Sequence, residues 1–157
     1  MKNDLGETLK NEKIRALSFG EPIRVQPETS IEVVIDRMFE AKIGCAVVEE
    51  KGKLVGIFTE RDILTRVVEA GVSLKSPVES FMTPRPKCLD PEDSVAEAIR
   101  VMNRGGYRHL PLVDRKGKTV GVLSVKRIVS YLAEHFPAEV YNLPPDPRQI
   151  QRSREGA

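Results

Sequence analysis

Apolar residues in this chain keep two different rhythms, and the pair of rhythms occurs twice. Ile31, Val34, Ile35, Met38 and Phe39 recur at three- and four-residue steps, the spacing that gathers side chains on one face of a helix. Val95, Ala98, Ile99 and Met102 repeat the pattern further on. Two apolar runs of strand length follow each helix, Cys45 to Val48 then Leu54 to Phe58, and Leu110 to Val113 then Val120 to Leu123. Between the runs lie Lys51-Gly52-Lys53 and Lys116-Gly117-Lys118, which supply the glycine a hairpin needs. A second helix closes each unit, with apolar positions Ile63, Leu64, Val67 and Val68 in the first and Ile128, Val129 and Leu132 in the second. Ser94 and Glu97 have capping-box spacing and place the start of the second unit's first helix.

Individual residues coincide as well. Pro27, Ser30 and Met38 fall on Pro91, Ser94 and Met102 at an offset of 64, while Gly52, Lys53, Gly56 and Thr59 fall on Gly117, Lys118, Gly121 and Ser124 at 65. One residue is gained near Gly105 and Gly106. Each copy opens with a short extended piece, Pro22 to Val25 or Pro86 to Leu89. The order strand, helix, strand, strand, helix predicts an α+β unit, a small mixed sheet with two helices on one face, and two such units must cover each other. The expected organisation is an N-terminal extension over 1–13, a first unit over 14–77, a second over 78–136 and a tail over 137–157. In the tail, Leu143-Pro144-Pro145-Asp146-Pro147 excludes a helix.

Composition narrows the class. With 157 residues, 40% of them hydrophobic and 31% charged, the chain has material for a packed interior and charge to cover it. Its net charge of +2 is too balanced for a dedicated nucleic-acid binder, although local basic patches remain open. Cys45 and Cys88 have no partner at metal-ligand spacing, so neither a zinc site nor a disulfide framework is expected, and a reducing cytoplasm fits. No apolar run reaches the roughly 18 residues of a membrane span, and the first residues lack the apolar region of a signal peptide. An enzyme has little to stand on, since the sequence carries no nucleophile elbow, Walker loop or metal-ligand cluster.

Candidate chemistry concentrates where a strand hands over to the closing helix. Gly56 lets a backbone approach closely, Thr59 stands at the hand-over and Asp62 lies one helical turn on. A carboxylate accepts two hydrogen bonds at once, which suits the paired hydroxyls of a ribose, and a threonine hydroxyl beside free amides suits a phosphate. The same Thr-x-x-Asp spacing is that of an ordinary helix N-cap. In the second copy Gly121, Ser124 and Arg127 take these positions. Arg127 has no acceptor and cannot clamp a diol, though it can meet a phosphate. Arg108 and His109 are opposed in the first copy by Ile43 and Gly44, so cationic donors belong to one repeat and the ribose carboxylate to the other.

The segments Gly56-Ile57-Phe58-Thr59-Glu60-Arg61-Asp62 and Tyr107-Arg108-His109-Leu110-Pro111-Leu112-Val113-Asp114, with the lead-in Ser80-Phe81-Met82-Thr83-Pro84, resemble the CBS domain family. The resemblance covers everything except the two ends. It implies tandem domains packed about a pseudo-twofold axis, with two clefts that commonly hold AMP, ADP, ATP or related adenosine ligands, and pairs that often dimerise. It implies ribose and phosphate contacts from Thr59, Asp62, Ser124, Arg127, Arg108 and His109. An adenine slot is expected along Ile23, Val25, Ile43, Ala46 and Val47. The function so implied is a non-catalytic sensor of adenine nucleotides, without cofactor or metal, a homodimer that signals to an unidentified protein partner. The alternative is a ligand-free scaffold or oligomerisation module. S-adenosylmethionine and NADH offer the same adenosine handle.

Overall fold

The computed structural model describes residues 4–141. Within them β1 (Arg24–Val25) runs parallel to β2 (Cys45–Glu50), and β2 turns back antiparallel into β3 (Lys53–Thr59). In the second repeat β5 (His109–Val113) and β6 (Thr119–Ser124) form the equivalent hairpin, and Leu89 bridges Leu112 in parallel where β1 has its counterpart. The mixed α+β unit predicted from the pattern is present in both halves. One strand crosses over: β4 (Thr83–Pro84), the lead-in of the second repeat, pairs antiparallel with β3 and completes a four-stranded sheet.

The helices follow from the apolar spacing. α1 (Leu5–Asn11) precedes the repeats. α2 (Ile31–Ala41) and α4 (Val95–Gly105) open them, and α5 (Val125–His135) closes the second. The closing helix of the first begins as α3 (Glu60–Asp62) and widens into a π-helical stretch, Ile63–Val68, in which the Glu69 N–H donates to the Leu64 carbonyl five residues back. α2 and α4 both end on a left-handed residue, Lys42 and Gly106. Ser94 accepts the Glu97 N–H at 3.1 Å, as its spacing predicts.

Two expectations need correction. The buried stripe of α2 is Ile31, Val34 and Met38, while Phe39 is 84% exposed, and in the closing helices Leu64, Val68 and Val129 also face outward. Only the arc of each helix against its sheet is covered, and that arc is narrower than the apolar pattern. The tail expected from 137 starts as a short helix, α6 (Pro137–Tyr141); the proline run at 143–147 lies outside the described residues.

Packing crosses the repeat boundary. Leu9, Ile14 and Leu17, from the start of the chain, are buried in the second repeat's core with Leu110, Leu112 and Leu123. Val78 is buried in the first repeat's core with Ile31, Val34 and Phe58, and Phe81 and Met82 pack against it. The exchange is written in paired hydrogen bonds: Ile14 N–H to Asp93 O (3.0 Å) matches Val78 N–H to Thr29 O (2.8 Å), and Val95 N–H to Glu12 O (2.9 Å) matches Ile31 N–H to Ser76 O (3.0 Å). Every residue in these pairs has its counterpart 64 positions away. Burying a side chain such as Ile14 contributes about 1.5–3 kcal/mol, so each repeat is held by the segment that introduces the other.

Candidate functional site

The same exchange creates two clefts, of about 720 and 790 Å³. The first is lined by the β3 to α3 hand-over, including Thr59, Glu60 and Asp62, by the second repeat's lead-in at Arg85 to Lys87, and by Tyr107, Arg108 and His109. The second is lined by the equivalent pieces in exchanged roles. These are Ser124 to Arg127 from the β6 to α5 hand-over, Ser18 to Pro22 from the first repeat's lead-in, and Lys42 to Cys45. The structure thus brings Thr59 and Asp62 into one cleft with Arg108 and His109, and Ser124 and Arg127 into the other. Glu60, Arg108 and His109 line both.

At the first hand-over the turn closes on itself. The Thr59 N–H and hydroxyl both donate to Asp62 Oδ2, at 2.9 and 3.0 Å, and the Asp62 N–H returns a bond to Thr59 Oγ1 at 3.4 Å. Asp62 Oδ1 lies 3.4 Å from Arg66 Nε, and the residue is 6% exposed. At the second, Ser124 Oγ accepts the Arg127 N–H at 3.1 Å, and the Arg127 Nε is buried without a hydrogen-bond partner among the described residues. Approach to both hand-overs depends on glycine. A Cβ on Gly56 would overlap the Met82 side chain, and one on Gly121 would overlap the Phe19 ring.

A wall between the clefts escaped the sequence reading. A Cβ on Gly44 would stand 3.0 Å from Glu60 Oε2 and 3.3 Å from His109 Nε2, so the carboxylate and the imidazole converge above that glycine. Aligning the repeats at 65 sets Gly44 under His109 and Glu60 under Val125; a carboxylate and an imidazole, each without a polar counterpart, were the available signal. Burial lowers the His109 pKa from its ordinary value; the Glu60 carboxylate opposes the change and Arg108 adds to it. Burial, then Glu60, pushes the Cys45 thiol up to about 12, which makes it an inert core residue.

The residues expected along the adenine slot are divided between the core and the second cleft. Val25, Ala46 and Val47 are buried in the interior, and Ile23 packs against the first core. Ile43 lines the second cleft. Apolar strand residues beneath α2 are taken up by the core. The apolar lining of the first cleft comes instead from Ile57, Leu64, Pro84, Pro86 and Tyr107. Among the described residues no group of metal-ligating side chains is gathered, and no helix is long and apolar enough to cross a membrane.

Comparison with known proteins agrees with this architecture. A family model described as CBS domain matches residues 14–69 and 78–134. A CBS domain-containing protein of Arabidopsis thaliana is 36% identical over 104 residues, 66% of this chain and 19% of that protein; the chain spans about a fifth of the length of this relative. The crystal structure of an uncharacterized conserved protein from Pyrococcus horikoshii superposes with a TM-score of 0.73 at 27% identity, covering 78% of this chain and 92% of that one. A CBS domain protein from Pyrobaculum aerophilum, complexed with AMP, superposes with a TM-score of 0.69 at 27% identity over 78% of this chain and 98% of that one.

Proposed function

The chain belongs to the CBS domain family, and on that premise we propose that it is a non-catalytic sensor which binds an adenine nucleotide in the first cleft and signals by a change in how its repeats sit together. The observation that carries this is the joining, in one cleft, of Thr59 and Asp62 from the first repeat with Arg108 and His109 from the second. In this reading Asp62 Oδ1 turns from Arg66 to the ribose, Arg108 and His109 meet phosphate, and Tyr107 with Leu64 and Pro86 forms the slot for the base. The AMP complex of the Pyrobaculum aerophilum relative supports the choice of ligand. The second cleft has Arg127 and Lys126 in place of the ribose carboxylate, so it takes an anion without a diol clamp. Because Glu60, Arg108 and His109 border both clefts, occupancy of one changes the other.

Thermal denaturation with AMP, ADP, ATP, S-adenosylmethionine and NADH tests the reading. A ligand at 100 times its Kd adds about 2.7 kcal/mol to stability, a rise of about 5–10 °C for a chain of this size. If none of the five raises the midpoint at millimolar concentration, the scaffold reading replaces this one; the closed capping box of Asp62 is the observation that favours it. We also propose a homodimer, in which a second copy covers the outward Val68 and Val129 of the closing helices. Light scattering at micromolar concentration is expected to give twice the chain mass, and a monomer mass there removes any mechanism through a subunit interface.

A further inference from the structure

A third groove, of about 760 Å³, is lined by both hairpin turns. Lys51 and Lys53 come to it from the β2–β3 turn, Arg115, Lys116 and Lys118 from the β5–β6 turn, and Arg85 from the segment after β4. All six are exposed, and no carboxylate lines the groove. Without them 19 Lys and Arg would stand against 23 Asp and Glu, so this one groove holds more than the entire positive balance of the chain. The neighbouring carboxylates stand outside the lining: Glu50 lies across the hairpin from Lys53, and three others meet partners of their own. Asp114 accepts the backbone N–H groups of Lys116 and Lys118 at 2.9 Å, Glu49 faces Arg24 at 3.6 Å, and Asp90 reaches Arg115 only at 3.9 Å.

Backbone conformation brings these cations together. Lys51 and Gly52 have φ of 50° and 76°, the two left-handed positions of a two-residue hairpin turn, where asparagine followed by glycine is the unstrained choice. Arg85 is also left-handed, with φ of 46°. Two of the three left-handed cations among the described residues, Lys51 and Arg85, therefore belong to this groove, and gathered like charges repel unless an anion joins them. The uncharged lining is Leu54, Pro86, Cys88 and Val113 with two glycines, and no aromatic side chain is among it. A single-stranded nucleic acid takes up aromatic platforms for its bases, which this lining does not supply. Cationic side chains beside aliphatic carbon suit carboxylates alternating with aliphatic side chains.

We infer that this groove is a docking site for an acidic, extended protein segment in which carboxylates alternate with aliphatic residues. The site holds whether or not a nucleotide occupies the first cleft, although the two share Arg85 and Pro86. The test is fluorescence anisotropy with a labelled twelve-residue peptide of alternating Glu and Val, beside a labelled duplex DNA of twelve base pairs. Saturable peptide binding is expected, weakened about tenfold or more when salt rises from roughly 50 to 300 mM. Charge reversal at Lys51, Lys53, Lys116 and Lys118 to Glu is expected to weaken it by about thirtyfold or more, with an AMP-induced shift of the midpoint equal to wild type; Arg85 is left intact because it also lines the nucleotide cleft. Should the fourfold variant fail to fold, Lys116→Ala with Lys118→Ala serves in its place, with a loss of at least about threefold expected. No peptide binding at low salt, binding unchanged in the variants, or tighter binding of the duplex overturns the inference. Because the nucleotide shift is read separately, its loss in wild type would count against the sensor reading and not against this groove.

Discussion

The hand-overs at Thr59–Asp62 and Ser124–Arg127 occupy the same place in their repeats and differ in the third residue of the helix they start. Asp62 closes a complete capping box, is buried, and leads into a π-helical stretch. Arg127 gives only its backbone N–H to the cap, leaves its Nε buried without a hydrogen-bond partner among the described residues, and leads into eleven residues of regular α-helix. One carboxylate is thereby both a structural cap and the candidate ribose acceptor, whereas a guanidinium at the same position is free for an anion. The backbone frame is shared by the repeats, and the chemistry is assigned by single side chains set on it.

The largest expected effect divides phosphate from ribose across the first cleft. Arg108→Ala removes a charge-assisted donor and is expected to weaken AMP by about 1.5–3 kcal/mol, ten- to a hundredfold, with adenosine changed far less. Titration calorimetry with both ligands makes the comparison. An equal loss for adenosine would place Arg108 with the base or with the fold.

Next come the glycines behind the two hand-overs. Gly121→Ala presses a Cβ onto the Phe19 ring and Gly56→Ala onto the Met82 thioether. An aromatic ring yields less readily than a flexible methionine, so Gly121→Ala is expected to cost about 1–3 kcal/mol and Gly56→Ala less. Chemical denaturation of the two variants checks the order, and the reverse order would mean that the lead-in before β4 is the more rigid of the two.

A smaller difference follows from the caps. Asp62→Ala opens the capping box and is expected to destabilise the unliganded protein by about 1–2 kcal/mol, besides abolishing the AMP shift. Arg127→Asp offers the second repeat the carboxylate that the first already has, and a gain of up to about 1 kcal/mol is expected. Equal midpoints for wild type and Asp62→Ala without ligand would show that the carboxylate contributes nothing as a cap.

Much of this frame was legible in the sequence because repeated spacing reports on backbone geometry. The doubled offsets of 64 and 65, the hairpin glycines and the Ser94 cap all reappear as element boundaries. What stayed hidden depends on contacts between distant segments. Nothing in the local pattern of Ile14 and Leu17 says that they pack in the second repeat, or that Val78 packs in the first. The burial of Val25, Ala46 and Val47 stayed hidden for the same reason, since an apolar strand residue reads alike for a core and for a slot. Glu60 was passed over because one exposed carboxylate at a helix start resembles any other until His109 is seen to converge on it over Gly44.

The wall formed by that pair gives the smallest effect and the most selective one. Burial lowers the His109 pKa in the unliganded protein, so below the ordinary histidine value the unfolded chain binds more protons than the folded one. Stability of the free protein therefore declines as pH falls through that value toward the lowered one. A phosphate in the cleft favours imidazolium and raises the same pKa, so binding takes up a proton and AMP affinity rises over the same fall in pH. The two slopes have opposite signs. Between about pH 8 and 6 the strengthening is expected to stay below about 1 kcal/mol, because Glu60 already shares the imidazolium's field and the phosphate takes up its own proton near the bottom of the range. His109→Gln keeps a polar side chain without the titration, so the AMP affinity of the variant, measured calorimetrically across the same range, is expected to lack the part of the slope that wild type shows. Parallel pH profiles for the two proteins would remove His109 from the phosphate contact and leave it as a buried neighbour of Glu60.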